Sequence, residues 1–164
     1  MSISAPVYST QYSNYVTSPM TANKPSDWGA KLRCSEAKLT FTAAGYTTAS
    51  AGDISLIRMP AGRVRILSDL SRIIIPAGTS TSDFDLGYGA YVGADNVAVV
   101  ADPNALDDSV DVGGGAIDAA PTLPANGELV IESRSGFDIV CSFDTANSPA
   151  SGDMYVRIVY MQGN

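Results

Sequence analysis

Apolar and polar residues alternate along much of this chain with the two-residue period of a strand, not the 3.6-residue period of a helix. The most regular run ends the stretch Ile54–Val92. Phe84, Leu86, Tyr88, Ala90 and Val92 share one parity, and Asp83, Asp85, Gly87 and Gly89 take the other. This predicts a strand with one buried face and one face in water. Two apolar runs precede it, divided at Met59-Pro60-Ala61-Gly62 and again at Pro76-Ala77-Gly78. Proline presets φ for the first turn position and glycine supplies positive φ after it, so each Pro-Ala-Gly reverses the chain and the stretch reads as an antiparallel meander. Val64, Ile66, Leu70 and Ile74 share its inward parity, but so does Arg72. A β-bulge that turns Arg72 outward is the simplest way to keep its charge in water.

On either side of this centre the pattern continues. Leu39, Phe41 and Ala43 alternate with Lys38, Thr40 and Thr42, so the folded body is expected to begin at Lys38, with Ala44–Gly52 as a loop. Residues 102–127 hold three consecutive glycines and three prolines and read as a long loop with one short helical turn at Pro103–Leu106. Leu129 and Ile131 alternate with Glu128 and Glu132, Ser135-Gly136 makes a turn, and Phe137–Phe143 is a strand with Cys141 on its inward parity. In Met154–Met161, Met154, Val156, Ile158 and Tyr160 form one face, while Tyr155, Val159 and Met161 fill much of the other. A strand apolar on both faces is central between two layers or pressed against another chain. About seven or eight strands without a helix of any length are best satisfied by two packed sheets: an all-β, antiparallel β-sandwich over residues 38–164.

Residues 1–37 stand apart. The first thirty are rich in Ser, Thr, Asn and Pro and follow neither period, with Tyr8, Tyr12, Tyr15 and Trp28 spaced among them. They carry too little apolar surface to offset the entropy of ordering alone, so an extended N-terminal arm is expected. Rings laid along a partner would bury large apolar areas with their polar tips satisfied, which makes these four aromatics the expected anchors.

Composition sharpens this picture. Apolar residues make up 45% and charged residues only 16%, with 15 glycines and 9 prolines, as suits a β protein with many turns. The net charge of −7 is uneven. Residues 1–52 hold Lys24, Lys31, Arg33 and Lys38 against Asp27 and Glu36, 4 − 2 = +2, while the rest carries six arginines against 15 carboxylates, 6 − 15 = −9. Lys24, Lys31 and Arg33 are therefore the expected charge complements to an acidic neighbour, and the acidic body argues against a nucleic-acid partner. No apolar run reaches membrane-span length, and MSISAPVYSTQ lacks both a basic start and a hydrophobic segment, so synthesis in the cytoplasm is expected.

The search for chemistry returns little. The chain has no histidine, which removes the commonest general base and the commonest metal ligand. Asp83 with Asp85 and Glu128 with Glu132 are same-face carboxylate pairs, but at ordinary spacing on predicted solvent faces. Asp107, Asp108 and Asp111 offer oxygens without the ligand register of a calcium loop. Gly113-Gly114-Gly115 follows no strand-to-helix switch and reads as a joint, not a phosphate cradle. Cys34 and Cys141 are too few for a metal motif, and whether they pair stays open. No enzyme activity, cofactor or metal is expected.

The order of segments carries one resemblance. Ala51-Gly52-Asp53-Ile54 leads through Ile57-Arg58-Met59-Pro60-Ala61-Gly62-Arg63-Val64 to Asp85-Leu86-Gly87-Tyr88-Gly89, an Asp-Pro-Asn segment at 102–104 and a final Tyr155-Val156-Arg157-Ile158-Val159-Tyr160. Over residues 51–160 this resembles the small virion proteins of tailed bacteriophages, especially capsid cement or decoration proteins with a jelly-roll-like body. The resemblance implies a non-enzymatic protein of the virion exterior, made in the host cytoplasm. It would bind the outer surface of the major capsid protein shell at capsomer junctions, as a homodimer or homotrimer. Tyr155, Val159 and Met161 would then be the oligomer face. The alternative is a carbohydrate-binding or host-adhesion β-sandwich of a fibre or tail, with Tyr46, Tyr88 and Tyr91 as sugar platforms.

Overall fold

The strands of this protein are set by its alternating and β-branched runs, and in the computed structural model, which describes residues 31–41, 54–78, 83–125, 127–143, 149 and 151–163, they number twelve. They are β1 (Lys31–Phe41), β2 (Ile54–Met59), β3 (Gly62–Leu67), β4 (Arg72–Ile75), β5 (Asp83–Tyr88) and β6 (Tyr91–Val92). Then follow β7 (Ala98–Val99), β8 (Asp102–Asp111), β9 (Ile117–Ala119), β10 (Glu128–Ser133), β11 (Phe137–Phe143) and β12 (Gly152–Gly163). The larger sheet runs β10-β3-β12-β4-β9, with β1 also on β12; the smaller runs β2-β11-β5-β8, and β6 with β7 makes a ribbon. All pairs are antiparallel. One core cluster joins Val64, Ile66, Ile73, Val156 and Ile158 of the larger sheet to Ile57, Phe84, Leu86, Phe137 and Cys141 of the smaller, so the sheets pack face to face as a sandwich.

β12 organises the larger sheet. β1 follows it from Lys31↔Gln162 to Phe41↔Gly152, while β3 pairs its residues 160–163 and β4 its residues 155–157. Strand pairing therefore starts at Lys31, ahead of the expected Lys38, because β12 is long enough to hold the whole of β1. Between β3 and β4 lies a 3-10 turn, Ser68–Leu70, that leaves Val159 N–H without a backbone partner from either strand. The buried Ser71 takes that place: its Oγ accepts from Val159 N at 3.0 Å and donates to Leu67 O at 2.9 Å. Ser71→Ala should leave the amide buried and unpaired, a loss of about 1–3 kcal/mol in denaturant unfolding; an unchanged midpoint would show that another acceptor takes over.

The same turn corrects the expected parity of the second run. Val64 and Ile66 point inward as predicted, but the turn shifts the phase, so that Ile73 and Ile75 are buried while Leu70 and Ile74 are exposed. Arg72 consequently points outward without a bulge and forms a fork to Asp118 at 2.6 and 2.7 Å.

The meander is also overturned. The Pro60-Ala61-Gly62 turn, with Gly62 at φ +96°, reverses the chain, but it carries β2 of the smaller sheet over to β3 of the larger. Turn residues specify reversal and not the hydrogen-bonding partner, and here the partners come from far along the chain.

Two further expectations fail for one reason. Residues 102–111 form a strand, β8, instead of a loop with a helical turn, and the face of β5 expected in water is covered. β8 pairs with β5 through register shifts between Phe84, Leu86 and Tyr88. The residues it gains there lie against Asp85 and Gly87, which are buried. Asp85 Oδ1 accepts from Ser109 N at 2.7 Å, and a Cβ on Gly87 would stand 2.0 Å from the Asp102 carbonyl oxygen. The alternation itself stops at Gly89-Ala90; Ala90 and Val92 are exposed.

Candidate functional site

With the core filled from both sheets, the outward faces decide what the molecule can do. On the larger sheet the strand register sorts outward side chains into rows. Leu32, Met161, Arg65 and Val130 stand in one row across β1, β12, β3 and β10, and Cys34 with Val159 forms the next. Then come Glu36, Arg157 and Arg72, followed by Lys38, Tyr155, Ile74 and Asp118. At one end of the face β1 and β12 thus present Leu32, Met161, Cys34 and Val159, with Arg63, Arg65, Glu128 and Glu132 beside them on β3 and β10, and the other end is mostly charged.

The charges on this face are matched in place. Arg157 Nε meets Glu36 Oε1 at 2.5 Å, Lys38 Nζ meets Asp153 Oδ2 at 2.9 Å, and Arg63 and Arg65 meet Glu132 and Glu128 at 3.4 and 3.5 Å. With the Arg72–Asp118 fork these are five cations against five carboxylates, 5 − 5 = 0. Hydrogen bonds from Thr40 and Lys38 hold the Asp153 carboxyl below the usual carboxylate range, and the Arg72 fork does the same for Asp118. The bond to Asp153 raises the Lys38 ammonium, whose Nζ also lies 5.6 Å from the Tyr155 ring centre. Exposed pairs of this kind contribute little stability; they fix register and neutralise the surface.

Carboxylates are densest elsewhere in the chain. Residues 83–118 contain Asp83, Asp85, Asp95, Asp102, Asp107, Asp108, Asp111 and Asp118 and no lysine or arginine, and most of these fall on β5 and β8 of the smaller sheet. The three considered for calcium diverge. Asp107 is buried and accepts from Thr122 Oγ1 at 2.6 Å, Asp108 accepts from Ser109 Oγ at 3.1 Å, and Asp111 accepts from the amides of Gly113 and Gly114 at 2.8 and 3.1 Å. Among the described residues no group of three or more Cys, Asp or Glu side chains is arranged to hold a metal ion. Glu128 and Glu132 face Arg65 and Arg63, and of the other pair Asp85 is buried, its Oδ1 accepting from Ser109 N.

The other sequence candidates fall as follows. Tyr155, Val159 and Met161 lie on the outward side of β12, Tyr155 being 44% exposed. Lys31 and Arg33 are exposed at the start of β1 and have no ion pair among the described residues. Tyr8, Tyr12, Tyr15, Lys24, Trp28 and Tyr46 lie outside the described residues. Tyr88 and Tyr91 are half-buried in an edge-to-face pair with centroids 5.6 Å apart, Tyr91 also touching Phe137, and burial pushes both phenols up. That is a core-edge arrangement and not an open platform for sugar. Cys34 is exposed on the larger sheet while Cys141 sits in the core, so the two do not pair. Sequence reasoning missed Leu32 and Val130, 62% and 41% exposed. The signal lay in the unbroken apolar run Leu129-Val130-Ile131, which can only be apolar on both faces.

No family model matches the chain, and no curated protein matches it in sequence. In structure, a chain in the capsid of Ralstonia phage GP4 superposes with a TM-score of 0.58 at 15% identity, covering 84% of this chain and 88% of that one. A chain in the acidic stable capsid structure of Helicobacter pylori bacteriophage KHP30 fits more loosely, with a TM-score of 0.42 at 15% identity over 81% and 89%. At such identity the GP4 likeness is one of fold: the two chains share a β architecture over most of their length.

Proposed function

We propose that this chain is a structural protein of a phage virion, a cement or decoration protein that binds the outer surface of the major capsid protein shell and stabilises its capsomer junctions as a homo-oligomer. The observation that carries this reading is the fold shared with a chain of the GP4 capsid, over 84% of this chain. The surface chemistry supports it: among the described residues the ion pairs tie neighbouring strands together, leaving a sheet face whose paired charges balance on one side and the carboxylates of β5 and β8 on the other. Weak contacts repeated over a closed lattice add through effective concentration, so no single site of high affinity is required.

In this reading Tyr8, Tyr12, Tyr15 and Trp28 anchor an arm on the shell, with Lys24, Lys31 and Arg33 facing acidic neighbours. The test is co-sedimentation with shells of the parent phage assembled without this protein. The full chain should pellet with the shells, and removal of residues 1–30 should weaken binding about tenfold or more, one to two lost aromatic anchors, with the melting temperature little changed. Failure of the full chain to bind would overturn the proposal; unchanged binding after truncation would remove the arm from it.

A further inference from the structure

A protein of net charge −7 repels its own copies least where like patches that meet carry no net charge. The outer face of the larger sheet is such a surface, since each of its five cations lies against a carboxylate of the same face. Strands β5 and β8, with their carboxylates and no basic residue, are the opposite case. Within the neutral face, apolar side chains run together on β1 and β12 at one end: Leu32 and Met161 are paired in register and Val159 lies beside Cys34, while Arg65 parts Met161 from Val130. The face is four strands wide and as long as β12, roughly 20 Å by 40 Å. That area is close to the ~800 Å² each partner contributes to a standard interface.

We propose that this face docks on a second copy of the same chain, with the two larger sheets stacked across a two-fold axis parallel to the strands, so that Leu32, Val159 and Met161 meet their own counterparts. Two-fold packing presents the same patch from both sides, so a neutral face with an apolar end is complementary to itself. The stapled arginines lie beside that end, where their carboxylates keep them from facing like charge. This inference names the contact behind the homo-oligomer proposed above but does not depend on the shell. It also narrows the expected oligomer face, because Tyr155 sits two rows away, in the charged half.

Cys34 reports on the contact, being exposed in the single chain and adjacent to Val159, whereas Cys141 is buried. The experiment measures mass by light scattering, and the rate of Cys34 modification by a disulfide reagent, for the full chain over a range of concentrations. Val159→Asp and Leu32→Asp are compared with Asp108→Ala on the other sheet. The expected result is a dimer whose Cys34 grows less reactive as concentration rises. Each interface variant should be a folded monomer, judged by circular dichroism, with Cys34 reacting about tenfold faster or more, since a charge placed in the apolar part of the contact is desolvated without a partner. Asp108→Ala should behave as the parent. A monomer with freely reactive Cys34 at every concentration overturns the proposal, as does a dimer untouched by both variants. A monomer whose Cys34 is protected also overturns it, since part of the same chain then covers the patch. Loss of shell binding without change of mass assigns the face to the shell instead, and leaves the virion reading standing while this one falls.

Discussion

Gly87→Ala should separate β8 from β5 and cost about 3 kcal/mol or more, at the upper end of what overpacking does. The added Cβ would lie 2.0 Å from the Asp102 carbonyl oxygen and 2.5 Å from the Pro103 carbonyl carbon. Both are backbone atoms, so no side-chain rotation relieves the clash, and the strand itself must move. Moving it withdraws Ser109 N–H from the buried Asp85 carboxyl and so breaks a buried hydrogen bond between the two strands. For a chain of this length the melting temperature should fall by about 6–12 °C, and amide exchange should rise first in residues 102–111. A loss under about 1 kcal/mol would mean that β8 already sits away from Gly87.

Phe84→Ala should be the most damaging truncation in the core, at about 3–5 kcal/mol, a large part of the 5–15 kcal/mol that holds a typical domain together. Phe84 is fully buried, its ring centre is 5.4 Å from that of Phe143, and Phe143 stands edge-on to Phe41 at 5.7 Å. Phe41 belongs to β1 of the larger sheet and Phe84 to β5 of the smaller, so the three rings clamp the sandwich across its interior. Guanidinium unfolding of Phe84→Ala and Phe84→Leu measures the effect. Leucine should recover much of the loss, and equal, small losses for both would show that the ring is not packed as described.

How much of this was legible in the sequence follows from which forces are local. Alternation identified β10, β11 and β12 and the inward set Met154, Val156, Ile158 and Tyr160, because burial of every second residue writes itself directly into the chain; it also located β5, although there both faces are covered. The Ser135-Gly136 reversal was legible too, with Gly136 at φ +87°. Partner choice was not: Pro60-Ala61-Gly62 looks the same whether its strands pair or change sheets. Nor was the phase shift at Ser68–Leu70: Ser68, Asp69 and Ser71 are polar, but Leu70 between them continues the parity of Val64 and Ile66, so the run looks like one strand. β8 was hidden because Pro103 and its many aspartates suit a loop, and only the bulged register with β5 makes room for them. On the outward face, Tyr155, Val159 and Met161 were visible by parity, whereas the rows they share with Leu32 and Val130 exist only once the register is known.

The place of β12 in the sheet has a bearing on how the molecule reaches its native state. β1, β3 and β4 all pair with this one strand, and in sequence it follows every other described strand. While the chain is being made, therefore, β3 can pair with β10 and β4 with β9, but nothing joins these pairs to each other, and β1 waits more than a hundred residues for its neighbour. Closing such long loops is entropically expensive before any contact is gained, so folding should be slow and should occur after synthesis of β12, not alongside it. Until then the inward faces of β1, β3 and β4 are open to other chains, and the nascent protein is at its most prone to aggregate in that interval.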